Sequence, residues 1–136
     1  MTATGEIRVA VFGAGNCASA LVQGCQYYSG AGIDRPGLMS RSFAGYLPEH
    51  ITFAAAFDID ARKVGSDLSE AVFAPPNCTA RFVPSLSPLD CPVRPGIELD
   101  GFRSFPPGTP ERKRWLPIDS AYSSPEEARR VIVGEQ

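Results

Sequence analysis

Three small residues near the start of the sequence have the spacing of a phosphate-binding turn. In the stretch GAGNCA, Gly13, Gly15 and Ala18 follow the pattern G-x-G-x-x-G/A, which is typical of turns that bind the pyrophosphate of a dinucleotide. Gly13 would allow a sharp turn, Gly15 would let the backbone approach the pyrophosphate, and Ala18 would keep helix and strand in close contact. The pyrophosphate would lie on the amide groups at the start of the next helix. The alternative is an ordinary strand-to-helix turn that needs glycine only for a positive φ.

An acidic residue further along the chain could complete such a site. Asp58 directly follows the apolar run 51–57 (ITFAAAF), and a carboxylate at the end of the second strand can bind the adenine ribose hydroxyls. This carboxylate also disfavours the 2′-phosphate of NADP, so the sequence predicts NAD. Asp58 lies 40 residues beyond Ala18, whereas about 20 is usual, and a long intervening loop accounts for the excess. The alternative for Asp58 and Asp60 is capping of the next helix; Asp67 faces the same region or is a solvated helix carboxylate.

The other chemistry-bearing residues do not form a recognisable site. The four cysteines include no C-x-x-C pair and the single histidine is His50, so the sequence predicts no metal site and no catalytic residue. We expect free thiols and a cytoplasmic protein. The net charge of −2 and the pI near 5.4 give no reason to expect nucleic acid or an anionic membrane as a partner. No apolar run approaches the ~20 residues of a membrane span.

Periodic apolar patterns predict the elements that position these residues. The run 9–12 (VAVF) predicts a first strand, and the run 51–57 predicts a second strand covered on both faces of a parallel sheet. Two apolar stripes with helical spacing predict a helix after the glycine turn and a second helix over about 61–73. Residues 1–74 therefore form a regular βαβα core with a loop over 31–50. The first stripe consists of Ala18, Leu21, Val22, Cys25 and Tyr28, and the second of Ala61, Val64, Leu68, Ala71 and Val72.

The second half of the chain, residues 75–136, contains 11 of the 13 prolines and is predicted to be irregular. Short strands are predicted at 78–83 and 115–118, and a turn at 99–101 (LDG). The stretch Ser124-Pro125-Glu126-Glu127 predicts a final short helix with a capping box. We predict one truncated α/β domain with a partial Rossmann-like, doubly wound parallel sheet. Because the strand expected after the final helix is missing, the open sheet edge would allow self-association or binding of a partner chain.

Three stretches together resemble the N-terminal part of inositol-3-phosphate synthase, in its shorter actinobacterial form. They are 11–28 (VFGAGNCASALVQGCQYY), 36–39 (PGLM) and 53–74 (FAAAFDIDARKVGSDLSEAVFA). The resemblance implies tightly held NAD and, for the family, an isomerase reaction that converts D-glucose 6-phosphate to 1D-myo-inositol 3-phosphate for inositol and phospholipid biosynthesis. It implies that Gly13, Gly15, Asn16, Cys17 and Ala18 lie along the pyrophosphate, with Asp58 and Asp67 towards the adenosine ribose.

The sequence departs from that family chiefly in length. Family members are more than twice as long, and their catalytic lysines and sugar-phosphate pocket lie beyond Gln136. Lys63 and Lys113 are the only lysines here, and Lys63 matches a position of the cofactor domain. We therefore expect the chain to bind NAD without converting substrate alone, and to meet glucose 6-phosphate only if the missing half is supplied. The alternatives are a non-catalytic NAD-binding module and an inactive remnant.

Overall fold

The computed structural model describes residues 5–30, 35–99, 105–119 and 122–134. Within these ranges the chain forms three strands, three α-helices and two short 3₁₀ turns, Pro48–His50 and Glu111–Lys113. None of these described helices is long and apolar enough to cross a membrane. In chain order the main elements are β1 (Ile7–Phe12), α1 (Asn16–Tyr28), β2 (Ile51–Asp58), α2 (Leu68–Ala71), β3 (Val93–Pro95) and α3 (Pro125–Val133).

The three strands form one parallel sheet in the order β1-β2-β3. Ile7 lies opposite Ile51 and Phe12 opposite Phe57, while Asp58 at the end of β2 lies opposite Pro95 of β3. Parallel neighbours require crossover connections, and α1 and α2 lie in those connections. The predicted fold class, a partial Rossmann-like α/β domain, is confirmed.

Both faces of the sheet are covered, as the near-continuous apolar run of β2 predicts. On one face, Phe53 and Ala56 pack with α1 and α2 in the larger apolar cluster. On the other face, Ala55 and Phe57 pack against Ala128 of α3. The pairing register shifts by one residue between Val9 and Ala10, so β2 carries one extra residue and each face still receives its apolar side chains.

The predicted helix over 61–73 is wrong in its extent, because α2 comprises only Leu68–Ala71. Gly65 has a φ of +92°, outside the helical region, and Asp67 is extended and caps the helix with its side chain. Residues 61–66 therefore form turns. A Cβ atom on Gly65 would meet no heavy atom within 4 Å, so its positive φ and not a close approach explains the glycine.

The predicted strands at 78–83 and 115–118 are also wrong. Side chains of α1 hold the first segment: the amides of Phe82 and Val83 donate to Gln23 Oε1 at 3.0 and 3.3 Å. In the second segment only Pro117 forms an isolated bridge, with Asp60. The third strand is β3 (Val93–Pro95), where the sequence predicts no strand. The predicted turn at 99–101 lies largely outside the described residues.

The final helix is confirmed, including its capping box. Ser124 Oγ accepts the Glu127 amide at 3.2 Å and Glu127 Oε2 accepts the Ser124 amide at 2.6 Å. The helix ends at Gly134, which has a left-handed conformation. Ahead of this helix, the ring of Trp115 packs edge-on against Phe105 at 4.4 Å between centroids.

A candidate dinucleotide site at the end of the sheet

The glycine turn connects β1 to α1 at the carboxyl end of the sheet. Gly13 has a φ of +90°, which L side chains rarely adopt, and its amide donates to the Phe57 carbonyl at 2.8 Å. Gly15 is the N-cap residue of α1 and is extended, with a φ of −85°. Gly13 therefore provides the positive φ of the turn, whereas Gly15 is the N-cap residue of α1 and has a negative φ.

The N-terminus of α1 is open to a ligand. No side chain caps it and its first turn contains no acidic residue, so its first amides have no partner from within the helix. A Cβ atom on Gly15 would meet nothing within 4 Å, which leaves space beside the backbone. Amide donors and the positive end of a 13-residue helix together favour an anion.

The residues that follow Gly15 in the predicted site differ in exposure. Asn16 and Cys17 are exposed, and Ala18 is buried within the apolar cluster under α1, as its predicted packing role requires. The carboxamide oxygen of Asn16 accepts the amides of Cys78 and Thr79 at 2.7 and 3.1 Å. Asn16 thus binds the segment after α2 with its side chain, while its backbone amide belongs to the first turn of α1.

Asp58 lies directly beneath the glycine turn. It is 8% exposed, its Oδ2 accepts the Ala14 amide at 2.7 Å, and its Oδ1 accepts the amides of Ile59 and Asp60 at 2.7 and 2.8 Å. A carboxylate has about four acceptor positions, so one remains for a ribose hydroxyl. The ribose contact stays a prediction, and the capping alternative is wrong for Asp58, because the next helix, α2, is capped by Asp67.

Two residues that are absent from the predicted site lie beneath the same turn. Lys63 is 3% exposed, and its Nζ donates to the Ala14 carbonyl and to Asn77 Oδ1, each at 2.8 Å, with Asp58 Oδ2 at 3.9 Å. Asn77 Nδ2 also donates to the Ala14 carbonyl at 2.8 Å. Burial lowers the pKa of Lys63, against the opposing effect of Asp58 and Asp60. No local sequence signal marks either residue as part of the turn, since Lys63 and Asn77 lie 49 and 63 positions from Ala14.

Asp60 is occupied by an ion pair and is 1% exposed. Arg62 donates to both of its carboxylate oxygens, at 2.9 and 2.6 Å, and the Leu116 amide donates at 3.2 Å. Burial alone would raise the pKa of Asp60, but these hydrogen bonds hold it below the ordinary value. Asp60 therefore binds the segment that contains Leu116 to the end of β2 through this hydrogen bond.

Asp67 lies away from the glycine turn, beside the start of β3. Its carboxylate accepts from the amide and hydroxyl of Ser69 and from the amides of Leu89 and Cys91, at 2.5 to 3.1 Å. The partners of Asp67 are therefore different from those of Asp58. The alternative that Asp67 is a solvated helix carboxylate is wrong, because its carboxylate accepts four hydrogen bonds. Its contact with the adenosine ribose remains a prediction.

The single histidine, His50, has a local partner. His50 Nδ1 accepts the Leu47 amide at 3.3 Å and so belongs to the turn before β2. Across the described ranges, no group of three or more histidine, cysteine or acidic side chains is arranged to hold a metal ion.

Three curated proteins named inositol-3-phosphate synthase are similar to this chain. The protein from Mycolicibacterium smegmatis is 48% identical over 117 residues, covering 85% of this chain and 32% of the relative. The protein from Mycobacterium tuberculosis is 41% identical over 133 residues, 96% of this chain and 36% of the relative. The protein from Corynebacterium glutamicum is 41% identical over 118 residues, 85% of this chain and 32% of the relative. The chain thus spans about a third of the length of these relatives.

A solved structure is also similar to this fold. The crystal structure of Ari2 matches with a TM-score of 0.61 and 35% sequence identity, covering 68% of this chain and 29% of the other. No family model matches the chain.

Proposed function

We propose that this chain, a homologue of a segment of the inositol-3-phosphate synthases, provides the NAD-binding part of such an enzyme. The observation that supports this most directly is the uncapped start of α1 beside the open space at Gly15. Both features lie at the carboxyl end of a parallel sheet, where α/β folds bind ligands.

The pyrophosphate would contact the amides of Gly15, Asn16 and Cys17 at the start of α1. Gly13 makes the turn, and Ala18 brings the helix close to the sheet. Asp58 would offer its remaining acceptor position to the adenosine ribose, which favours NAD over NADP. NAD supplies the hydride chemistry when bound, and the residues of this chain bind and orient it.

Calorimetric titration with NAD tests this function. We expect saturable binding by the unmodified chain and at least tenfold weaker binding by Gly15→Ala, because the added methyl group would occupy the space of the pyrophosphate. Gly24→Ala is the matched control, since a Cβ at Gly24 also meets nothing within 4 Å. Absence of NAD binding at millimolar concentration would refute the function, and unchanged binding by Gly15→Ala would refute this location.

The whole family reaction would need residues that this chain does not contain. We expect purified chain, NAD and glucose 6-phosphate to yield no inositol phosphate. Production of inositol phosphate by the 136-residue chain would contradict this expectation. A reducing, cytoplasmic location accords with the four cysteines, which are free thiols.

The edge of β1 is the surface on which the rest of a synthase would join. Among the described residues β1 pairs with β2 alone. Beside this strand, an apolar hollow of about 420 Å³ lies between α1 and the segment before β2, with Ile7, Leu21 and Phe43 in its lining. We propose that a chain supplying the remaining two thirds of a synthase covers this edge and hollow.

A further inference from the structure

Lys63 and Asn77 surround one peptide group of the glycine turn. The Ala14 carbonyl accepts from Lys63 Nζ and from Asn77 Nδ2, both at 2.8 Å, and the Ala14 amide donates to Asp58 at 2.7 Å. Ala14 itself is fully buried. All three hydrogen bonds therefore lie on the inner side of the turn.

The direction of the Ala14 carbonyl fixes the direction of the next amide. In a trans peptide the C=O and the following N–H point in opposite directions, and among the described residues only the bond between Pro75 and Pro76 is cis. Because the Ala14 carbonyl points inward to Lys63 and Asn77, the Gly15 N–H points outward. The space beside Gly15 is open, since a Cβ atom on this residue would meet no heavy atom within 4 Å.

We propose that Lys63 and Asn77 are positioning residues for phosphate binding, which hold the Ala14 carbonyl inward and so direct the Gly15 amide at the pyrophosphate. This inference rests on the proposed binding of a dinucleotide at the turn. It assigns a role to a buried lysine that the family resemblance placed only at a position of the cofactor domain.

The hydrogen-bond partners of Lys63 connect its charge to the glycine turn. A buried ammonium group is costly unless it is paired and hydrogen-bonded, and here its partners are Ala14, Asn77 and Asp58. Asn77 is fixed in turn by donating to the Val72 carbonyl at 2.9 Å. The ammonium group of Lys63 and the side-chain amide of Asn77 thus both donate to the Ala14 carbonyl. The direction of this carbonyl determines the direction of the Gly15 N–H.

Binding of ADP and of adenosine distinguishes positioning from a structural role. We expect Lys63→Met to weaken ADP binding at least tenfold, since hydrogen bonds to charged groups are the stronger ones. It should weaken adenosine binding much less, because Lys63 Nζ lies 3.9 Å from Asp58 Oδ2, beyond hydrogen-bond distance. Asn77→Ala removes a donor to the Ala14 carbonyl and an acceptor of Lys63 without changing the charge, and it should weaken ADP binding about threefold. Lys113→Met applies the same substitution to an exposed lysine and should change neither affinity.

The ligand-free protein provides a second readout. In ¹H–¹⁵N spectra we expect the Gly15 amide resonance to move in Lys63→Met and Asn77→Ala, and to stay in place in Lys113→Met. Unchanged Gly15 resonance in both variants, or equal loss of ADP and adenosine binding, would overturn the positioning role. Failure of the unmodified chain to bind NAD and ADP would refute the proposed function, while the Gly15 resonance would still test this inference.

Discussion

At the scale of single residues, the two glycines of the turn have different roles. Gly13 is needed for the backbone conformation of the turn, and Gly15 is needed to leave space for a ligand. Gly13 has a φ of +90°, whereas Gly15 has an ordinary extended φ of −85° and open space around its Cβ position. A side chain at Gly13 would strain the backbone even where space is available. A small side chain at Gly15 would leave the fold unstrained and intrude on the ligand.

Gly13→Ala should lower the free energy of unfolding by about 1–2 kcal/mol, because an L residue in the left-handed region is strained by that amount. Urea denaturation measures the change. Gly24→Ala, inside α1, should instead raise stability by up to about 1 kcal/mol. Equal effects of the two substitutions would contradict the assignment of backbone strain to Gly13.

Asp60 should make stability depend on pH. Burial alone would raise its pKa, but hydrogen bonds from Arg62 and Leu116 hold it lower, so the folded chain binds this proton less readily than the unfolded chain. The stabilisation is present above the ordinary carboxyl pKa of about 4 and is lost as the pH falls through that value towards the folded-state pKa.

Asp60→Asn should therefore lower stability at pH 7 by about 2 kcal/mol and reduce the slope of stability against pH below about 5. Urea denaturation at several pH values measures both effects. Asp90→Asn, at an exposed position, is the control and should preserve the slope. An unaltered slope in Asp60→Asn would rule out Asp60 as the source.

At the scale of elements, Asp67 joins the start of α2 to the segment that leads into β3. Its carboxylate caps α2 through Ser69 and accepts the amides of Leu89 and Cys91. The Asp67 side chain thus binds both the four-residue helix α2 and the segment before the three-residue strand β3. Neither is long enough to be stable by itself.

Asp67→Ala should destabilise the fold by about 2 kcal/mol, the upper range for loss of an N-cap, and should speed hydrogen exchange at Leu89 and Cys91. Glu70→Ala changes an exposed carboxylate of the same helix and should have little effect. Exchange rates at Leu89 and Cys91 that match those of Glu70→Ala would show that Asp67 does not hold this segment.

The elements that the sequence predicts well are those with local signals. The apolar stripe of α1, the apolar run of β2 and the Ser124-Pro125 start of α3 each lie within one element. By contrast, β3 and the short α2 depend on bonds between distant positions, such as Asp67 to Cys91, a separation of 24 residues. Apolar periodicity contains no information about such side-chain-to-backbone bonds.

The candidate site likewise contains some residues that a local sequence motif identifies and others that depend on contacts between distant positions. The sequence motif identifies Gly13 and Gly15; the structure gives Gly13 the positive φ expected of a sharp turn, and the binding role of Gly15 stays a prediction. The support beneath the turn, formed by Lys63 and Asn77, was not predictable because both residues approach Ala14 from positions 49 and 63 residues away. A lysine amid polar neighbours has no pattern that distinguishes it from a surface residue.

At the scale of the whole molecule, apolar side chains remain exposed near the free edge of β1. Ile7 is 39%, Leu21 45% and Phe43 85% exposed, and all three line the hollow beside α1. An apolar surface next to the unpaired edge of a strand favours association.

Leu21→Lys and Phe43→Lys should reduce concentration-dependent association of the chain, because a charged side chain opposes burial of this surface. Light scattering after size-exclusion chromatography measures the effect. Leu99→Lys, at another exposed apolar side chain, is the control. If Leu99→Lys reduces association as much as the two variants, the surface beside β1 is not the route of association.

The only tryptophan of the chain, Trp115, precedes the residue whose amide and carbonyl bind Asp60 and Ala61. Its indole emission should therefore report on the docking of this segment on the end of β2. Fluorescence and far-ultraviolet circular dichroism would consequently follow two different events during denaturation. A red shift in emission at denaturant concentrations that preserve helical ellipticity would identify this segment as a separately unfolding part of the molecule.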